Sequence, residues 1–178
     1  MIVLISGATH SGKTVLAQKL LEKYHYPYLS IDHLKMGLIR SGQTELTPCS
    51  PDRELTAYLW PIVREMIKTA IENEQNMVVE GCYIPEEYQK DFEPEYLEHI
   101  RYVCLIFSDS YIEEHFDEIR AHASDVEVRM DDDYLTKELL HRDHKMYLEK
   151  CQAAGVPYLY VNGAYEVDAE AVMKILAE

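Results

Sequence analysis

Five short apolar runs recur along the chain, at 2–5, 28–31, 77–80, 102–107 and 158–161. Each has the length of a buried strand. Between them apolar residues return every three or four positions, the spacing of a helix with one buried face. After the first run, Val15, Leu16, Leu20 and Leu21 follow this rule. A long helix over 51–74 opens with Ser50 as N-cap and Pro51 as its first residue. Leu55, Leu59, Ile62, Val63, Met66, Ile67 and Ala70 trace its inner face, and Pro61 predicts a kink near Ala57. Helices follow over 111–120, with Ile112, Phe116 and Ile119 inward, and over 133–154. The last starts from Asp168 as N-cap, with Val167 and Val172 spaced as a hydrophobic staple. Strand-like and helix-like segments alternating in this way predict an α/β fold, a parallel sheet with helices on both faces. There is no internal repeat and no low-complexity linker, so 1–178 reads as one domain with room for a real core.

The first strand runs into Gly7-Ala8-Thr9-His10-Ser11-Gly12-Lys13-Thr14, which fits Gly-x4-Gly-Lys-Thr, a phosphate-binding loop. Strand, glycine loop and helix come in the order that motif needs. The glycines let successive N–H groups curl inward around an anion, and the helix from Lys13 adds unpaired N–H groups and the positive end of its dipole. Gly7, Thr9, His10, Ser11, Gly12, Lys13, Thr14 and Val15 are the expected nucleotide-binding set. Lys13 would reach the β- and γ-phosphates, and the Thr14 hydroxyl would face Mg²⁺.

Charge narrows the partners. Seventeen Lys and Arg stand against 32 Asp and Glu, a formal net charge of −15. That argues against nucleic acid or an anionic membrane as the main partner, and makes each cation near a phosphate pocket count for more. Cys49, Cys82, Cys104 and Cys151 form no Cys-x-x-Cys pair, which points to a reduced, cytoplasmic setting without a zinc ribbon. No basic segment with a longer apolar run precedes the first strand, and no run approaches the ~20 apolar residues of a membrane span.

Two acids stand at strand ends, where an open α/β sheet binds its ligands. Glu80 closes the run Met77-Val78-Val79 and is the second expected Mg²⁺ ligand; the bland reading is a solvated strand end. Asp32 follows Leu29-Ser30-Ile31 and could take the proton of an acceptor hydroxyl; it could equally cap a short helix over 33–40. Arg120, Arg129 and Arg142 flank an acidic stretch over 121–133 and suit a lid that neutralises a transferring phosphoryl group. His141-Arg142-Asp143 spells the protein-kinase triplet but lies in a helical pattern without the required Asn. His141 and His144 share a helix face with no third metal ligand evident. Asp131-Asp132-Asp133 reads as a solvated helix start.

With these residues in place, the chain resembles the adenylate kinase-like branch of phosphate-loop kinases, nearly end to end and at low similarity outside the motifs. The acceptor-helix region through Ile39-Arg40-Ser41-Gly42, Val78-Val79-Glu80-Gly81, the lid-like Arg129-Met130-Asp131-Asp132, and Val161-Asn162-Gly163 carry it. The resemblance implies a three-layer phosphate-loop NTPase fold and a five-stranded parallel sheet in order 2-3-1-4-5. It places an acceptor-binding helical region at about 33–75 and a short lid at about 120–133. It implies ATP as donor, Mg²⁺ as cofactor, and Asn162 and Gly163 backing the adenine. The departures redirect the acceptor. Adenylate kinases grip a monophosphate with two arginines; here Met36, with Lys35 beside it, and Ile84 stand at those places. An aspartate after the second strand resembles instead the hydroxyl-phosphorylating relatives, shikimate kinase-like, chloramphenicol phosphotransferase-like and zeta-toxin-like proteins. The Glu-Gly segment also resembles 2-phosphoglycerate kinase-like proteins. The expectation is a Mg·ATP-dependent kinase acting on a small-molecule hydroxyl, with Lys13, Asp32, Arg120 and Arg129 carrying the chemistry. A nucleoside monophosphate kinase and an ATP-binding regulator without efficient transfer are the alternatives, and the oligomeric state is left open.

Overall fold

The computed structural model describes residues 1–122, 126, 134–163, 165 and 167–176. Strands and helices alternate through them. β1 (Ile2–Gly7) leads into α1 (Lys13–Tyr24), and β2 (Tyr28–Ser30) into α2 (Ile31–Arg40) and α3 (Asp52–Glu72). β3 (Met77–Glu80) leads into a 3-10 turn (Tyr88–Asp91) and the one-turn α4 (Pro94–Leu97). β4 (Ile100–Phe107) is followed by α5 (Asp109–Ala121) and α6 (Lys137–Ala154), and β5 (Tyr158–Val161) by α7 (Ala169–Ile175). The five strands form one sheet in the order β2-β3-β1-β4-β5, and every pairing is parallel. The parallel sheet is the one the sequence pattern predicted, and the strand order is the one the resemblance implied.

Alternation along the central strands builds two cores. Ile2 and Leu4 of β1 pack with Leu55, Leu59, Val63 and Ile67 of α3 and with Tyr147 and Cys151 of α6. Val3 and Ile5 face the other way, toward Leu16 and Leu20 of α1, Ile112 of α5 and Val172 of α7. All six residues of β1 are buried, as a parallel strand between two helical layers must be. Burying each large side chain of this kind is worth about 1.5–3 kcal/mol, which fixes the strand register firmly. Ile5 and Ser30 both pair with Glu80, while Gly7 pairs with Leu105, so the carboxyl ends of β1, β2, β3 and β4 share one edge.

Caps and faces refine the sequence reading. Asp168 caps α7 as expected, accepting from the N–H groups of Glu170 at 3.1 Å and Ala171 at 3.3 Å. Val167 and Val172 are both buried in one cluster, in accord with the staple. α3 starts one residue later than expected, with Pro51 rather than Ser50 in the cap position, and runs without interruption through Pro61. Met66 is 39% exposed rather than inward, and Trp60 takes the buried place, donating from Nε1 to Asp91 Oδ2 at 2.8 Å. A stripe at 55, 59, 63 and 67 puts Trp60 beside it and Met66 on its far flank. α6 begins at Lys137, capped by Thr136, not at 133; Asp131, Asp132 and Asp133 lie outside the described residues. β2 ends at Ser30, because Ile31 opens α2. The 3-10 turn and α4 had no sequence signal. Among the described residues, no helix is long and apolar enough to cross a membrane.

Candidate functional site

The loop between β1 and α1 is held open by glycine. Gly7 adopts φ 141°, and a Cβ there would lie 2.6 Å from the Leu105 carbonyl oxygen and 2.9 Å from Ser11 Oγ. Gly12 adopts φ 83° in the cap position of α1 and supplies no side chain to cap it. The first N–H groups of a helix have no intrahelical acceptor, so the start of α1 presents Lys13, Thr14 and Val15 amides to an anion. His10 takes a left-handed φ of 61°, and its Nδ1 lies 3.1 Å from Thr9 Oγ1. Lys13 is 7% exposed; its Nζ donates to Ala8 O at 2.6 Å and to Ser11 Oγ at 3.4 Å. The ammonium is thus folded over its own loop, beside the amides that suit a phosphate. The Thr14 side chain is half-buried one position on.

Glu80 sits at the end of β3, 2% exposed and in register with Ile5. Gly81 follows because the chain passes close to α2: a Cβ there would be 2.9 Å from Ile31 Cβ. Next comes Cys82, whose thiol is pushed up by burial, opposed by Lys13 and reinforced by Asp32, Glu80 and Asp52. Lys13 follows β1, Asp32 follows β2 and Glu80 ends β3, so all three lie at the carboxyl edge of the sheet.

Asp32 lies in the first turn of α2, and Ser30, not Asp32, holds the N-cap position. Its carboxylate pairs with Lys35 through Oδ1. Lys35 Nζ also donates to Tyr83 OH at 2.9 Å and lies 5.0 Å from the centre of that ring. Burial works against the Lys35 charge, but the Asp32 carboxylate and the two hydrogen bonds outweigh it and push its pKa up. Burial likewise raises the Tyr83 phenol, with Lys35 opposing.

Arg120 is exposed in the last turn of α5. The Arg142 side chain is 72% exposed, and its Nε donates to Asp143 Oδ1 at 3.0 Å. Arg129 and the Arg-x-Asp-Asp segment lie outside the described residues, as does most of the expected lid. Asn162 follows β5; its Oδ1 accepts from Ser110 Oγ at 2.9 Å and Ser108 Oγ at 3.2 Å, and Gly163 takes φ 94°. Met36 is half-buried and Ile84 is 2% exposed in the core.

Three contributors had little or no sequence signal. Tyr165 lies across the start of α1, its OH donating to Gly12 O at 3.5 Å; a Cβ on Gly12 would fall 2.0 Å from that oxygen. Tyr83 was an unremarked neighbour of Ile84. His144 is not half of a metal site but a core residue, 1% exposed and stacked on Phe107 at 4.7 Å. Its Nδ1 accepts the Phe107 N–H at 2.9 Å. His141 instead sits between Asp109 (Nδ1 to Oδ1, 2.6 Å) and Glu113 (Nε2 to Oε1, 2.9 Å), which raise its pKa.

No family model matches the sequence, and no curated protein matches it. Among solved structures the chain is similar to shikimate kinase from Aquifex aeolicus, at 17% identity and a TM-score of 0.54, over 99% of this chain and 96% of that one. It is similar to deoxyadenosine kinase from M. mycoides, solved with dCMP and a flexible dCDP, at 13% identity and 0.54, over 99% of each chain. It is also similar to the YorR protein of Bacillus subtilis in complex with phosphorylated GDP, at 15% identity and 0.53, over 99% and 96%. At these identities the likeness speaks for the fold: this chain has the phosphate-loop fold of small-molecule and nucleoside kinases.

Proposed function

We propose that this protein is a Mg·ATP-dependent phosphotransferase that acts on a small molecule at a hydroxyl. The observation that carries the reading is the shared carboxyl edge of the sheet, where the β1–α1 loop with Lys13, Asp32 just after β2 and Glu80 at the end of β3 lie beside an uncapped helix start. Lys13 and the loop amides hold the β- and γ-phosphates. The acceptor oxygen attacks the γ-phosphorus, its proton passes to the Asp32 carboxylate, and the bond to the β–γ bridging oxygen breaks to release ADP. Thr14 and Glu80 offer hard oxygen donors on either side of the loop, a set that fits Mg²⁺. When bound, the ion neutralises charge on the phosphate oxygens. Arg120, Arg129 and Arg142 are the candidate lid cations, and Asn162 with Gly163 the candidate support for the base.

A hydroxyl acceptor fits this site better than a monophosphate. Lys35, the cation beside the place of the missing arginine, is engaged by Asp32 and Tyr83. Met36 and Ile84 supply no charge, and removing charge-assisted contacts of that kind costs about 1.5–3 kcal/mol each. The four free cysteines accord with a reduced, cytoplasmic setting. The deciding experiment measures ADP formation from Mg·ATP against nucleosides, nucleoside monophosphates, sugars, sugar acids and antibiotics. Turnover with a hydroxyl acceptor supports the proposal. Turnover confined to nucleoside monophosphates replaces it with a monophosphate kinase, and ATP binding without turnover replaces it with a regulator.

A further inference from the structure

Lys35 and Asp32 are three residues apart on α2, so their side chains rise from the same face. Their exposures differ: 11% for the Lys35 side chain and 42% for that of Asp32. The lysine lies inward and the carboxylate outward. Only Asp32 Oδ1 is bound by the ammonium, and Tyr83, three residues beyond Glu80, holds the same ammonium from the β3 side. A flexible four-carbon side chain would not keep one geometry by itself; two hydrogen bonds and the face of the Tyr83 ring restrict it.

We propose that Lys35 is a positioning residue, which fixes Asp32 through Oδ1 and turns Oδ2 toward the acceptor hydroxyl, with Tyr83 as the anchor that ties α2 to the strand carrying Glu80. This rests on the reading of Asp32 as the acceptor's base. In this role the lysine acts through Asp32 and not on the nucleotide or acceptor directly. Its effect is to hold the carboxylate in one rotamer before the acceptor arrives, the kind of support whose loss moves a reacting group by about 1 Å and slows a reaction by up to about 10²-fold.

The test is a double-mutant cycle, read with the panel acceptor that wild type turns over fastest. Asp32→Asn should lower kcat by about 10²–10⁴-fold. Lys35→Met should lower kcat by about 10–10²-fold with the KM for ATP unchanged, and Lys35→Arg should recover part of it. Tyr83→Phe, a milder change, should give a smaller loss in the same direction. In the Asp32→Asn background, Lys35→Met and Tyr83→Phe should cost nothing further, because Lys35 acts only through Asp32. If Lys35→Met slows transfer as much without Asp32 as with it, the positioning role is wrong. If Asp32→Asn turns over at the wild-type rate, the base assignment falls, and the positioning role with it. An acceptor-independent readout separates the two failures: the Lys35 ammonium should give a resolved, slowly exchanging ¹H–¹⁵N signal that shifts in Asp32→Asn and in Tyr83→Phe. An ammonium signal that neither substitution moves overturns the pairing itself.

Discussion

Acidification should destabilise this protein through one buried imidazole. His144 is 1% exposed, stacked on Phe107, and accepts the Phe107 N–H at Nδ1, so its proton is on Nε2. That Nε2 has no hydrogen-bond partner among the described residues. Burial first, then the charges of Lys13, His141 and His10, hold its pKa down at about 3. Below pH 6.5 the unfolded chain takes up a proton that the folded chain refuses until about pH 3, so stability falls as the pH falls through that window. At about 1.4 kcal/mol per pH unit, the loss from pH 7 to pH 5 is about 2 kcal/mol. For a chain of this size that is a drop in Tm of about 4–8 °C. His141 works in the opposite sense. Its pKa is raised, by Asp109 and then Glu113, so its contribution is present at low pH and lost as the pH rises. It is partly exposed and screened, and the buried ring should dominate. The assay is urea unfolding at pH 7 and pH 5 for wild type and His144→Asn, whose amide oxygen can still accept the Phe107 N–H. The variant starts less stable because the stacked ring is gone, so the comparison is of slopes. Wild type should lose about 2 kcal/mol more than the variant between the two pH values. Parallel losses would refute the reasoning.

Three further outcomes are expected. Lys13→Ala should abolish phosphoryl transfer from ATP, since the ammonium is the loop's own cation; wild-type turnover would remove the loop from the chemistry. Gly7→Ala puts a Cβ 2.6 Å from the carbonyl of Leu105 on the neighbouring strand, at a φ of 141°. Neither partner can yield cheaply, so the loss should be about 2–5 kcal/mol, with nucleotide binding lost alongside; calorimetric unfolding and ATP titration measure both. Asp168→Ala removes the cap of α7 and should cost about 1 kcal/mol by denaturant unfolding with kcat unchanged, whereas an unchanged midpoint would show that the cap hydrogen bonds contribute nothing net.

The phosphate loop was legible in the sequence because its determinants are local. Eight consecutive residues specify the strand end, the two glycine turns and the helix start, whatever the rest of the chain does. The Asp168 cap was legible for the same reason. The alternation of apolar runs and helical stretches foretold the parallel sheet, since buried parallel strands require helices between them, whereas the strand order came only from the resemblance carried by the motifs. What neighbours across the fold decide could not be read in this way. A small shift in the phase of α3 exchanged Met66 for Trp60, because the helix turned to meet Asp91 and Phe92 in a segment that had no sequence signal. His144 has the spacing of a surface ligand and the environment of a core residue, because α6 lies against β4. Lys35 was only the neighbour of a missing arginine until α2 set it one turn from Asp32 and the segment after β3 brought Tyr83 to its ammonium. Backbone conformation answers to adjacent residues, whereas the partner of a long charged side chain is set by whichever elements packing brings within hydrogen-bond reach.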